Sequence, residues 1–303
     1  MPFDNSAPPR PSLAHAYLLL SLAALFWSGN FIVGREVRDV VPPVALAFWR
    51  WSGGFLIVLP LAWPHLRRDL PEMLRHWPMM LLLSATGIAS YNTFIYLGLA
   101  TTTALNALLM QSAMPLVIIA WSFALFGERP GWLPGLAVLV SLIGVLTIVT
   151  GGEPWAVAHV TLNGGDLWVF VAVLTYALYS ALLRKRPQTH PASFIAATFL
   201  IGTAMLAPLY LREIASGLTI QWEPRAWGAI LYVATLPAVA AYFCWNRGVQ
   251  LVGANRAGQF FHLMPVFGSG LAILVLGEEF RVFHAAGAAL IFLGILLAVA
   301  RRP

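Results

Sequence analysis

Aromatic and amide side chains are spaced through long apolar runs of this chain. They are Trp27 and Asn30, Tyr91 and Asn92, Gln111, Tyr176, Tyr179 and Ser180, Tyr242 and Asn246, and Gln259 with His262. Indole, phenol and carboxamide groups recognise a partner through hydrogen bonds and ring faces, and none of them breaks bonds unaided. His262 alone in the set exchanges a proton near neutrality, and its other use in such a run is to hydrogen-bond a neighbouring helix. Catalysis needs groups the chain lacks: there is no His-Glu-x-x-His, no Gly-x-Ser-x-Gly and no Gly-x-x-x-x-Gly-Lys. Glu278 and Glu279 adjoin Arg281 at a predicted loop, where capping or ion pairing is the expected use. Cys244 is the only cysteine, which excludes an intrachain disulfide and a thiolate metal cluster. No metal, nucleotide or prosthetic group is expected, and the candidate residues are assigned to binding a small solute.

The elements that must position these residues are membrane helices. The chain is 59% hydrophobic and 10% charged, against about 25% charged in soluble domains. Ten apolar stretches approach the ~20 residues that cross a bilayer: 14–33, 44–63, 78–98, 102–126, 132–150, 166–183, 192–211, 225–246, 255–276 and 282–300. The first lacks a basic leader and an Ala-x-Ala exit and is read as a retained span rather than a signal peptide. The proline-rich segment 1–13 is read as a tail, 151–165 as a linker and 301–303 as a second tail.

The net charge of +6 is spread over loops instead of one face, which argues for topology and against nucleic acid. With the N-terminus inside, Arg10, Arg67, Arg68, Arg75, Arg129, Arg184, Lys185, Arg186, Arg247, Arg256, Arg301 and Arg302 face the cytoplasm. Arg35, Arg38, Arg212, Arg225 and Arg281 face outward, so both termini are expected inside.

The halves repeat. Ala113-Met114-Pro115 and Gly127-Glu128 recur as Leu263-Met264-Pro265 and Gly277-Glu278 at a shift of 150, and Gly98, Ala104, Ala107 and Gly144 fall on Gly248, Ala254, Ala257 and Gly294. Trp27 matches Tyr176 and Arg35 matches Arg184 at a shift of 149. An odd number of spans per half turns the second copy, 166–300, upside down relative to the first, 14–150. The expected fold is therefore all-α and integral to the membrane, with ten helices in two inverted five-helix repeats, an arrangement typical of carriers.

Phe26-Trp27-Ser28-Gly29-Asn30-Phe31, the paired Met-Pro helices ending in Phe126-Gly127-Glu128 and Leu276-Gly277-Glu278, and the glycine-rich fifth and tenth spans resemble the EamA branch of the drug/metabolite transporter superfamily. The resemblance covers nearly the whole chain. It implies a bacterial inner-membrane exporter of small metabolites, often amino acids, with a central cavity between the halves. Within the family the chain looks most like aromatic amino-acid exporters.

Several residues carry further expectations. Small multidrug exporters of the superfamily keep a glutamate in the first helix, whereas this chain has Trp27 and Asn30 there and every Asp and Glu falls in a loop or at a helix end. That favours facilitated diffusion over proton antiport. Arg50 is the one charge well inside a span; anchoring through a carbonyl and binding of a substrate carboxylate both fit it. Pro115 and Pro265 are expected to kink the centres of spans four and nine, where each fits a static bend and their recurrence in both halves fits a hinge, and Gly87 and Pro237 weaken spans three and eight at matching places. Trp49, Trp51, Trp63, Trp77, Trp132, Trp155, Trp222 and Trp227 are assigned to the interfacial belts, and spans five and ten to scaffolding. An intramembrane lipid-modifying enzyme is the non-transport alternative. Nothing in the sequence decides the oligomeric state.

Overall fold

A computed structural model describes residues 13–102, 107, 110–129, 131–153, 155–156, 163–276 and 279–299. Residues 1–12 of the N-terminal tail with Arg10, residues 154 and 157–162 of the linker, Ala104, Gly277, Glu278, Arg301 and Arg302 lie outside the described residues. Helices Leu13–Glu36, Pro43–Arg75, Trp77–Thr101, Trp132–Val149, Gly164–Lys185, Pro191–Ala215 and Pro224–Val252 are long and apolar enough to cross a membrane, and Met114–Phe126 and Val282–Ala298 are shorter apolar helices. They are spans one, two, three, five, six, seven, eight, four and ten. Span nine is built of Ala254–Gly258, a 3-10 turn Gln259–His262, and Leu263–Leu276. No strand occurs among the described residues.

Helix contacts obey the internal symmetry. Spans three and six pack together, as do their counterparts one and eight; spans two and seven pair, and so do five and ten. Gly98 lies against Val169 and Gly165, while Gly248 lies against Leu20, the residue corresponding to Val169. Gly144 meets the Gly287 carbonyl, and its copy Gly294 meets the Ala137 carbonyl. Small residues let these backbones approach, which is how helices associate where lipid offers no hydrophobic drive.

Caps satisfy several helix ends. Asn163 and Asp166 form a reciprocal capping box at the start of span six. Span two begins at Pro43 with no cap of its own; the Glu213 carboxylate of span seven accepts from the Val44 and Ala45 amides at 3.1 and 2.7 Å. Gly127, with φ of 67°, closes span four in the left-handed conformation a glycine takes without strain.

Several expectations need correction. Span two does not end at Trp63: it runs on through Arg67, Arg68 and Asp69 to Arg75, with Pro60, Pro64 and Pro71 inside. A hydropathy window cannot see a helix that continues past the apolar run. Pro115 and Pro265 are not central. Each sits in the first turn of a regular helix, Met114–Phe126 and Leu263–Leu276, after a turn at Ser112 and Ala113 and the 3-10 turn respectively. Proline lacks the amide that an interior position needs and is tolerated at a helix start, so each span is interrupted there.

The weak points in spans three and eight are genuine interruptions. Six residues, Ala85–Ser90, and seven, Ala234–Ala240, form π-helical turns at corresponding places, around Gly87 and Pro237. Such turns commonly mark functional positions in helices.

Candidate functional site

The interior of the junction is an aromatic cluster contributed by both halves. Trp27 stacks on Phe261 at 5.5 Å between ring centroids and meets Tyr176 and Tyr242 edge-on at 5.6 and 6.0 Å. Tyr176 contacts Tyr91 at 4.5 Å and Tyr179 at 5.3 Å. Trp245 leans on Trp27 and Phe261. All these rings are buried. Gln111 Nε2 donates to the Tyr91 hydroxyl at 2.7 Å.

A matched clamp crosses each half. In the first, the Tyr96 hydroxyl of span three donates to Asn30 Oδ1 of span one at 2.7 Å. In the second, the Tyr179 hydroxyl of span six donates to Asn246 Oδ1 of span eight at 2.8 Å. Asn30 corresponds to Tyr179 and Tyr96 to Asn246, so the two residue types have exchanged helices while the bond is kept. The π turns are held as well. The Tyr242 hydroxyl donates to the Gly87 carbonyl, and the Pro237 carbonyl accepts from Trp27 Nε1 at 3.0 Å and Arg50 Nη2 at 2.9 Å.

Most of the sequence-derived candidates thus meet in one place. Trp27, Tyr91, Tyr176, Tyr179 and Tyr242 share the cluster; Gln111 joins through Tyr91, Asn246 through Tyr179 and Asn30 through Tyr96. Asn92 and Gln259 are fully buried, and their amide atoms have no hydrogen-bond partner among the described residues. His262 ties helices together: Nε2 donates to the Ser112 carbonyl at 2.9 Å and Nδ1 lies 2.6 Å from Ser141 Oγ, joining spans four, five and nine. A neutral imidazole satisfies both contacts.

Four contributors were missed. Trp51, assigned to the interfacial belt, is completely buried against Phe199 and Tyr242 at 4.7 and 5.1 Å. A span-end position misled, because the helix enters the bundle at once. Tyr96, Trp245 and Phe261 were also passed over; the 150-residue shift from Asn246 leads directly to Tyr96. Trp63, Trp77, Trp132, Trp155, Trp222 and Trp227 are exposed, as an interfacial belt requires.

A cavity of about 710 Å³ lies at the ends of spans four, six, eight and nine, and none of the cluster rings lines it. Its rim carries the exposed Arg184, Gln188, Arg247 and Gln250, and its depth reaches buried Ser122 and Ser180. Arg184, Arg186, Arg247 and Arg256 line it against one acid, Glu128. Glu128 pairs with Arg184 and accepts from Asn255 Nδ2 at 3.1 Å, tying spans four, six and nine at this mouth. Burial lowers the Arg186 pKa, Tyr179 opposes the shift and the Arg247 charge adds to it. The ion pair is partly exposed, so its share of stability is small, ~0–1 kcal/mol. Glu128→Gln is accordingly expected to slow transport several-fold while leaving the order of competing solutes unchanged. Competition uptake checks this, and a reordered preference with an unchanged rate would contradict it.

Inverted halves, interrupted helices with their carbonyls in the interior and a polar cavity among the helix ends fit a multispanning membrane carrier. The sequence pattern of the EamA-like transporter family matches once in each half, over residues 14–150 and 163–300, and the chain belongs to that family. It is 25% identical over 293 residues to the uncharacterized transporter YyaM of Bacillus subtilis (strain 168), covering 93% of this chain and 92% of that one. It is 28% identical over 290 residues to an uncharacterized transporter of Archaeoglobus fulgidus, covering 94% and 98%. A solved crystal structure shares the fold with a TM-score of 0.77 at 21% identity, over 95% of this chain and 98% of the other. The protein is a membrane transporter.

Proposed function

We propose that the protein exports small amphipathic metabolites, amino acids including aromatic ones, from the bacterial cytoplasm across the inner membrane. Transport runs by alternating access through the junction, as facilitated diffusion. The carrying observation is the composition of the junction: ring faces, phenols and carboxamides from both halves, with buried amide atoms of Asn92, Asn246 and Gln259 that have no partner among the described residues. Polar groups without partners are costly in a bilayer, and a solute with an apolar body and polar head supplies what they lack. The arginine-rich mouth is taken as cytoplasmic, with both termini on that side.

The absence of an acid from the described junction supports uncoupled movement. The buried acids are engaged elsewhere: Asp69 with the His190 amide, Asp166 with Thr102 and the Asn163 amide, and Glu213 at the start of span two. A passive carrier follows the concentration gradient of its cargo, so export reflects accumulation inside. No chemical change to the solute is expected.

Uptake of an amino-acid panel into proteoliposomes, with and without an imposed pH gradient, tests this reading. Phenylalanine or threonine flux indifferent to the gradient is the expected result, and strict proton dependence or a converted product would refute it. Gln111→Ala and Tyr91→Ala each remove one side of the 2.7 Å bond. At ~1 kcal/mol for such a bond, each is expected to cut flux about fivefold or more without loss of protein. Unchanged flux in both would remove them from the pathway.

A further inference from the structure

Arg50 is completely buried and meets only neutral acceptors. Nη1 donates to Asn30 Oδ1 at 2.6 Å and to the Tyr96 hydroxyl at 3.2 Å, and Nη2 donates to the Pro237 carbonyl at 2.9 Å. The guanidinium lies 4.8 Å from the Trp51 ring centroid. Its Nε has no partner among the described residues. No ion pair reaches it there, since the buried acids Asp69, Asp166 and Glu213 are each committed elsewhere.

Two of the three acceptors it touches do not depend on it. Asn30 Oδ1 already receives the Tyr96 hydroxyl, and the Pro237 carbonyl already receives Trp27 Nε1. Withdrawing the guanidinium would leave both satisfied. A residue kept to satisfy buried acceptors would be their sole donor, and Arg50 is redundant at two of them. What stays unsatisfied is the cation itself: a full charge without a counter-charge, and a free N–H on the edge of a fork that matches a carboxylate.

We propose that Arg50 is an anion subsite of the transport path and that it binds the carboxylate of the cargo. Spans one, three and eight converge on it, so it lies where both halves meet. When that side opens, a carboxylate takes Nε and Nη2 together while Trp27 keeps the Pro237 carbonyl. The aromatic cluster beside it then receives the apolar part of the solute. Assignment of the carboxylate to a transported solute rests on the function proposed above; the anion subsite itself does not.

The test uses purified full-length protein in detergent with 3-phenylpropionate and its neutral isostere 3-phenylpropanamide, read by thermal stabilisation and tryptophan fluorescence. Wild type is expected to bind the carboxylate at least about tenfold more tightly than the amide. Arg50→Gln is expected to abolish the preference, Arg50→Lys to keep part of it, and Arg247→Gln at the cytoplasmic mouth to leave it intact. Absence of a preference in wild type, whether the two probes bind alike or neither binds, overturns the proposal without reference to any variant. So does a preference that survives Arg50→Gln, or one lost in Arg247→Gln, which would place the anion at the mouth. Should Arg50→Gln not fold, Arg50→Lys and Arg247→Gln decide: a preference weakened by the first and untouched by the second supports the subsite, and the reverse overturns it. An Arg50-dependent preference with no phenylalanine flux in vesicles would leave the subsite standing and remove the proposed cargo. Phenylalanine flux without a preference would do the opposite.

Discussion

Gly144→Val is expected to abolish the folded protein. A first side-chain carbon at Gly144 would stand 2.6 Å from the Gly287 carbonyl oxygen and 2.9 Å from the Ile291 amide nitrogen. Both are backbone atoms and have no rotamer to retreat into, so spans five and ten must separate along their length. Overpacking of a close interface costs ~1–3 kcal/mol when neighbours can yield and more when they cannot. Gly135 is the internal control. It lies in the same helix with nothing within 4 Å of such a carbon, and alanine there gains up to ~1 kcal/mol of helix propensity over glycine. Fluorescence-detected gel filtration after a heating series is the measurement, and equal survival of Gly144→Val and Gly135→Ala would show that the contact between the spans is unimportant.

Trp27→Ala is expected to fold poorly and to lose saturable transport altogether. The indole touches Tyr176, Tyr242, Trp245 and Phe261 at once, so its removal opens a void in the centre of the junction. Loss of a large buried aromatic side chain costs ~3–5 kcal/mol. Trp27→Phe isolates the ring from the N–H: most packing is kept, and Arg50 still serves the Pro237 carbonyl. Phenylalanine is therefore expected to restore folding and saturable flux, with a changed affinity. Initial rates over a concentration series in proteoliposomes distinguish the two variants; wild-type kinetics in Trp27→Ala would place the solute path elsewhere.

The membrane class, the inverted repeat and most of the junction residues were readable because each leaves a trace in one dimension. A repeat at fixed shift needs only residue identities, and polar side chains stand out against an apolar background. Asn30 and Tyr179 were both named on that ground, but their common role as halves of equivalent clamps required the partners Tyr96 and Asn246 to be seen across the bundle. Trp51 was misread for the opposite reason. Tryptophan near a span end is chemically suited to an interface, and only packing against Phe199 and Tyr242 reveals that this one points inward.

Arg50 was visible as an anomaly with two readings, and its neutral surroundings came from residues 20, 46 and 187 positions away. The extension of span two to Arg75 and the interrupted starts at Pro115 and Pro265 were hidden for a further reason. Hydropathy measures where a chain is oily, whereas these features depend on where backbone amides find acceptors. Gly87 and Pro237 came closest to disclosing backbone geometry, since both residues disfavour a regular helix and they recur in register.

The two π turns also set rotational phase. A helix advances about 100° per residue, so a turn that holds one residue more than the regular winding swings everything after it by that angle. Tyr91, Asn92 and Tyr96 follow one such turn, and Tyr242, Trp245 and Asn246 follow the other. Winding Ala85–Ser90 back to a regular helix would turn the first group away from its present partners without altering a side chain, and the same holds for Ala234–Ala240 and the second. The faces that carry the aromatic cluster are thus aimed by backbone pitch, and a single-residue deletion in either turn amounts to relocating several side chains together.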